Sequence, residues 1–274
     1  MIPHEQNQLS SKFRGFSEKP LVVHGICRNR ALEASDLPQN AFGLASVLQV
    51  SYGSFIAICS ECPEIIHGPE SISAIFEDPK RVMDIAVGHN NILSNIIQSY
   101  DILPLKLGTV CRSQAQVRQL LDQNTERFGM CLDHIANTIE FGIKIIETGQ
   151  AKKTTSDKGL QNSNAALTGQ EYLHNQAKKL ASKNHSVQSY KKFTSDLIQA
   201  MTFFVKETKI LPMPKMSPAA QTRHIFNAAF LVDRGNIEAF KGCVKSYSEM
   251  AEPQNLAMSL SGPWPAYNFV SISH

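Results

Sequence analysis

Leu44-Ala45-Ser46-Val47-Leu48-Gln49-Val50-Ser51-Tyr52-Gly53-Ser54-Phe55-Ile56-Ala57-Ile58-Cys59 is the stretch that decides the fold. Two short apolar runs, 44–50 and 54–59, flank Tyr52-Gly53, and the pattern predicts two strands joined as a hairpin. Working outward, Leu21 to Cys27 is an apolar run ending in a polar turn and predicts a buried strand. On the other side, Ile85, Ile92, Ile96 and Tyr100 fall on one face of a helix over 82–100. Residues 102–110 then return to strand character. Strand, two strands, helix, strand predicts a small α+β domain of ferredoxin-like character, with the helix over one sheet face.

A second unit follows. Val117, Leu121, Phe128, Leu132, Ile135 and Ile139 recur at helical steps and predict one long helix. Phe141, Ile143 and Ile145 alternate with Gly142 and Lys144, the period of a strand. Residues 148–169 are rich in Lys, Ser, Thr, Asn and Gln and predict an exposed loop. From 171 to about 209 the pattern is helical again, strongest at Tyr190, Phe193, Leu197, Met201 and Phe204, and Pro212, Pro214 and Pro218 end it. A strand over 225–232, a helix over 237–250 and a last strand over 256–261 complete the chain. The expected organisation is a flexible tail over 1–18, an N-terminal ferredoxin-like domain over 19–112, and a C-terminal domain over 113–274. The latter is a modified ferredoxin-like α+β domain with long helices.

Composition sets bounds on function. At 42% hydrophobic and 19% charged, 274 residues can bury a substantial core. A net charge of +3 is too small to drive nucleic-acid or membrane binding by electrostatics. No apolar run approaches the roughly 20 residues of a membrane span, and the polar start lacks the apolar core of a signal peptide. Six cysteines scattered through apolar stretches suit a reducing cytoplasm.

The residues with chemical potential have bland and sharp readings. Cys59-Ser60-Glu61-Cys62 is a single C-x-x-C, which supplies two of the four ligands of a structural zinc site and has no second pair to complete it. A redox pair and a strand-to-turn transition at Pro63 both fit. His89, on the amphipathic helix, reads as a packed or locally bonded ring, or as a base or ligand. No phosphate-binding glycine loop and no nucleophile elbow occurs. Lys106, alone in an apolar strand motif, reads either as a solvent-facing stem or as a partner contact.

The most restricted segment is Gly262-Pro263-Trp264-Pro265-Ala266-Tyr267-Asn268-Phe269-Val270, which holds the only tryptophan. Pro265 locks its own φ and keeps Trp264 extended. Trp264 and Tyr267 read as a clasp closing the last strand and joining the two domains, or as a partner-binding ledge, because restricted aromatics lose little entropy on binding. This segment resembles the C-terminal signature of the gas vesicle proteins F and L. Leu103-Pro104-Leu105-Lys106-Leu107-Gly108-Thr109 is similar to that family's central motif, with Lys106 in place of Arg and Leu107 in place of Phe. His89-Asn90, His24-Gly25-Ile26 (where the family has Tyr-Gly-Ile), Gly169-x-x-Tyr172-Leu173 and Phe230-Leu231-Val232 follow the family's order. Glu140-Phe141-Gly142 stands where Glu-Trp-Gly is usual.

The resemblance implies a two-domain α+β protein of the gas vesicle and cytoplasm, without enzymatic activity or cofactor. It would be a minor component or assembly factor that binds the major gas vesicle shell protein (GvpA-type), together with other accessory gas vesicle proteins, and not nucleic acid or membrane. The residues it marks for partner binding or as signature are Leu103, Pro104, Leu105, Lys106, Gly108, Thr109, Gly262, Pro263, Trp264, Pro265, Tyr267 and Phe269. Two other readings stand beside it: a redox or metal-dependent enzyme using Cys59, Cys62 and His89, and a ferredoxin-like RNA-binding module suggested by the lysines of 178–192.

Overall fold

The computed structural model describes residues 20–29, 47–61, 78–148, 187–214 and 223–270. The expected tail, Cys62, the loop after Thr148 and the Gly169/Tyr172 block lie outside them. Among the described residues the chain forms two compact units, one running to Glu140 and taking back the segment from Pro263, the other spanning Phe141–Gly262.

In the first unit, β1 (Leu21–Arg28) is buried almost throughout and sits inside an antiparallel sheet ordered β2-β3-β1-β4. The hairpin of β2 (Val47–Tyr52) and β3 (Phe55–Glu61) has the expected turn, with Tyr52 opposite Phe55. Gly53 holds φ +54 there, a conformation that side chains with a Cβ rarely adopt. β1 carries an irregularity. Val23 pairs with Cys59 and Gly25 with Ile58, which leaves His24 as an extra residue and re-aims its side chain.

Helix α1 (Pro79–Ile96) begins with proline at its first position, and the Asp78 carboxylate accepts from the Lys80 amide at 3.0 Å. Its buried face is Ile92, Leu93 and Ile96, with Ile97 just beyond, packed with Cys27, Ile56, Ile58 and Ile102. Of the face expected from the sequence, Ile85 is only half-buried, and the helix starts and ends some three or four residues earlier than its apolar spacing suggested.

Residues 102–110 are not one strand. β4 (Ile102–Pro104) pairs with β1 through Gly25, and β5 (Val110–Cys111) pairs through Leu21 and Val22. Between them the chain loops out opposite the His24 bulge, tied by Leu105 N–H to the His24 carbonyl (2.9 Å) and Val23 N–H to the Thr109 carbonyl (2.8 Å). Gly25 stands where this approach is tightest, since an added Cβ would lie 2.8 Å from the Ile102 side chain and 2.9 Å from the Leu103 carbonyl oxygen. Gly25→Ala is therefore expected to destabilise the protein by about 1–3 kcal/mol. A urea midpoint equal to that of the parent would contradict the packing.

The long helix expected over 117–139 is two helices and a strand. α2 (Gln114–Gln123) is capped by Ser113, whose hydroxyl accepts from the Gln116 amide at 3.3 Å. Asn124 leaves the helical region at φ −117, ψ 17, and α3 (Thr125–His134) starts afresh. The apolar steps persist across the break because Val117 and Leu121 of α2 and Phe128 and Leu132 of α3 are all buried. Ile139 lies on β6 (Thr138–Glu147), after a turn in which Asn137 has φ +56.

The second unit is an antiparallel sheet ordered β7-β8-β6-β9. The helical pattern expected to reach 209 ends at Met201 (α4, 187–201), and β7 (Val205–Ile210) pairs instead with β8 (Arg223–Asp233), Val205 opposite Val232. Cross-strand hydrogen bonding outweighs the weak helical preference of that polar run. α5 (Ile237–Ala251) and β9 (Leu256–Trp264) follow as expected, the strand running three residues further. The core centres on Phe240, whose ring lies 5.5 Å from Phe141 and 5.8 Å from Phe230. No described helix is long and apolar enough to cross a membrane.

Candidate functional site: a histidine-floored groove

The looped-out 105–109 stretch, α1 and the C-terminal segment enclose a cavity of about 370 Å³, lined by Ala86, His89, Pro104, Leu105, Lys106, Leu107, Tyr267 and Val270. Its lining is mainly aliphatic, and Lys106 carries its one formal charge. The loop also borders a second cavity of about 510 Å³, lined by Gly108, Thr109 and Val110 together with Gln116, Gln119 and Gln123 of α2. The loop holds its shape because the Lys106 carbonyl accepts from both the Thr109 amide (3.1 Å) and its hydroxyl (2.8 Å), and Gly108 takes φ +86.

His89 joins this cavity to a chain of buried polar groups. The His24 bulge turns its ring so that Nδ1 lies 3.0 Å from His89 Nδ1 and Nε2 lies 2.9 Å from Ser60 Oγ on β3. Both rings are buried, and desolvation, reinforced for His24 by the neighbouring His89, holds them neutral near pH 7. His24 is lowered to about 3 and His89 to about 4, the Leu105 backbone partly opposing the shift at His89. Among the described residues His89 Nε2 is buried with no partner in hydrogen-bonding geometry, although the Leu105 backbone lies close enough to the ring to favour its protonated form. The Tyr267 ring lies 6.5 Å from the His89 ring, centroid to centroid.

The C-terminal segment is fastened by Glu140. This buried carboxylate accepts from the Asn268 backbone amide at 2.9 Å and from its side-chain amide at 2.6 Å. Burial and the nearby Glu140 charge raise the Tyr267 phenol well above its ordinary pKa.

The expected site residues divide by environment. Leu103, Pro104 and Leu105 are buried on or just after β4. Lys106 and Gly108 are exposed in the loop, with Thr109 half-buried. In the C-terminal segment Pro265, Ala266 and Phe269 are buried, whereas Gly262 and Pro263 are exposed, Trp264 is 37% exposed and Tyr267 39%. The fold brings Pro104, Leu105, Lys106 and Tyr267 together around one cavity and adds His89 to it. Residue periodicity gave no warning of the roles of His24, Ser60, Glu140 and Asn268. The available signal was His24 itself, a titratable residue in the middle of an otherwise apolar strand.

Residues 21–271 match the family model of the gas vesicle synthesis protein GvpL/GvpF. Gas vesicle protein L of a Streptomyces species is 25% identical over 86% of this chain and 88% of its own length. Gas vesicle protein F1 of Halobacterium salinarum is 22% identical over 92% of this chain and 93% of its own. The fold is similar to the crystal structure of the gas vesicle protein GvpF from Anabaena, with a TM-score of 0.65 at 18% identity over 94% of this chain and 98% of that one. A match that runs through β1, the central loop and the aromatic segment alike establishes that the chain belongs to the gas vesicle synthesis protein GvpL/GvpF family.

Proposed function

We propose that this protein is a non-enzymatic minor component or assembly factor of gas vesicles in the cytoplasm. In this reading it binds the hydrophobic major shell protein and limits its aggregation while vesicles nucleate and grow. The observation that carries this is the convergence of the central motif and the C-terminal segment on one aliphatic cavity. Met83, 63% exposed, stands one turn before Ala86 on the same helix and extends the apolar surface.

A gas-filled shell needs a water-repelling face, so its subunit must display apolar surface before assembly. Such patches invite aggregation, at roughly 25 cal/mol for each Å² that burial removes from water. A partner covering part of that surface would delay self-association. The Cys59 environment supports a non-redox reading: burial and neighbouring Cys111 push its thiol up to about 12, far from a reactive thiolate.

Co-expression with the shell subunit tests the proposal. Tagged protein is expected to retain the subunit on affinity resin and to keep it in the supernatant. No enrichment over an unrelated α+β protein of similar charge overturns it.

A further inference from the structure

The floor of the groove contains a feature that shell binding in general does not explain. His89 is 4% exposed, its Nδ1 faces His24, and its Nε2 has no partner in hydrogen-bonding geometry among the described residues. An orphaned buried nitrogen is unfavourable in the free protein. This one belongs to a residue lining an aliphatic cavity, with the exposed Tyr267 ring beside it.

We infer that His89 Nε2 is the polar anchor of a peptide-binding groove, which takes an aliphatic segment carrying one neutral hydroxyl side chain, serine or threonine. The segment's aliphatic residues lie on Ala86, Leu105, Leu107 and Val270, and its hydroxyl reaches Nε2 as the Tyr267 ring gives way.

The choice of a hydroxyl follows from the polar chain. The His24–His89 bond needs one donor and one acceptor, and either ring can fill either role. If His24 Nδ1–H donates, its Nε2 accepts from the Ser60 hydroxyl, and His89 carries its proton on Nε2 as a donor. If His89 Nδ1–H donates, His24 Nε2–H donates to Ser60 Oγ, and His89 Nε2 becomes an acceptor. The rotatable Ser60 hydroxyl permits both arrangements. The anchor therefore changes role without any change of net charge, and a hydroxyl is the smallest side-chain group that can answer both states. A carboxylate only accepts, so it answers just one of the two states, and burying its charge beside neutral rings is costly. A purely aliphatic segment would leave the nitrogen orphaned.

The inference rests on the shell-binding reading only for the identity of the partner, and its test separates the two. The full-length protein, with ¹⁵N-labelled histidines, is titrated with two short synthetic aliphatic peptides that differ only in a central serine or alanine. The serine peptide is expected to shift the His89 Nε2 resonance and to bind about five- to ten-fold more tightly than the alanine peptide, the range one buried hydrogen bond supplies. Equal binding of the two, or an Nε2 resonance that neither peptide moves (as a trapped water alone would give), overturns the anchor.

In parallel, His89→Leu is compared with the parent for shell-subunit capture and melting temperature. The variant exchanges the His89 Nε2 orphan for an unpaired His24 Nδ1, so it is expected to melt near or modestly below the parent and to capture several-fold less subunit. Equal capture overturns the anchor while leaving shell binding intact. No capture by the parent removes the shell reading, and the peptide pair then decides the groove alone. Should His89→Leu fail to fold, the peptide titration of the parent protein carries the test.

Discussion

Lowering the pH from 7 to 4 is expected to remove about 3 kcal/mol or more of stability through His24 and His89. In the folded protein the rings are held near 3 and 4, below the unfolded value of 6.5, chiefly because burial excludes the charged form. As pH falls through 6.5 the unfolded chain takes up protons that the folded chain refuses, so stability declines with pH. The contribution is fully present above 6.5. It is lost progressively down to about 4 for His89 and about 3 for His24. Each unit of separation is worth 1.36 kcal/mol, so at pH 4 the two rings contribute comparably, each on the order of 3 kcal/mol.

Urea midpoints at a series of pH values measure the slope. Carboxylates contribute to it as well, so the comparison is with a His24→Leu/His89→Leu double variant, whose profile should be distinctly flatter. Parallel profiles, or ring nitrogens that titrate near 6.5 by NMR in the folded parent, would contradict the buried neutral pair.

Much of the architecture is legible in the sequence because the signals are local. The hairpin at Tyr52-Gly53, the strand around Phe141, Ile143 and Ile145, β8 and α5 each carry their period within a single element. The errors fall where two elements share a period. Val117 to Ile139 reads as one helix because α2 and α3 both keep their apolar residues at helical steps across Asn124. Residues 205–210 read as helix because their strand identity comes from pairing with β8, about twenty residues away in sequence. The expected strand over 102–110 is broken by a loop whose hydrogen bonds run to the His24 bulge, and a bulge leaves no periodic trace.

The site follows the same division. Motif resemblance flagged Pro104, Leu105, Lys106 and Tyr267, which the fold gathers around one cavity. The His24–His89–Ser60 chain joins positions 65 and 36 residues apart, and the Glu140–Asn268 contact spans 128. Such partnerships depend on tertiary register, which no window of sequence contains.

Phe269→Ala is expected to cost about 3–5 kcal/mol, whereas Trp264→Ala should cost less, about 1–2 kcal/mol, although tryptophan is the larger ring. Exposure decides the order: Phe269 is 6% exposed and Trp264 37%. Truncating a buried aromatic loses its transfer energy and leaves a cavity, while a partly solvated ring at the end of a strand loses only the buried share of its transfer energy and leaves no closed cavity. The reading of the segment as a clasp therefore narrows to Pro265, Ala266, Phe269 and the Asn268 anchor on Glu140. Glu140→Ala should accordingly approach the Phe269→Ala loss, at about 3 kcal/mol, since it strips two charge-assisted hydrogen bonds that a buried carboxylate accepts from Asn268. Thermal and urea unfolding of the three variants gives the ranking directly. Equal destabilisation by Trp264→Ala and Phe269→Ala would return Trp264 to the clasp. With the expected ranking, Trp264→Ala becomes the informative variant for binding: a soluble protein of near-parental stability whose shell-subunit capture falls by more than about 1 kcal/mol would identify the exposed indole as a partner contact.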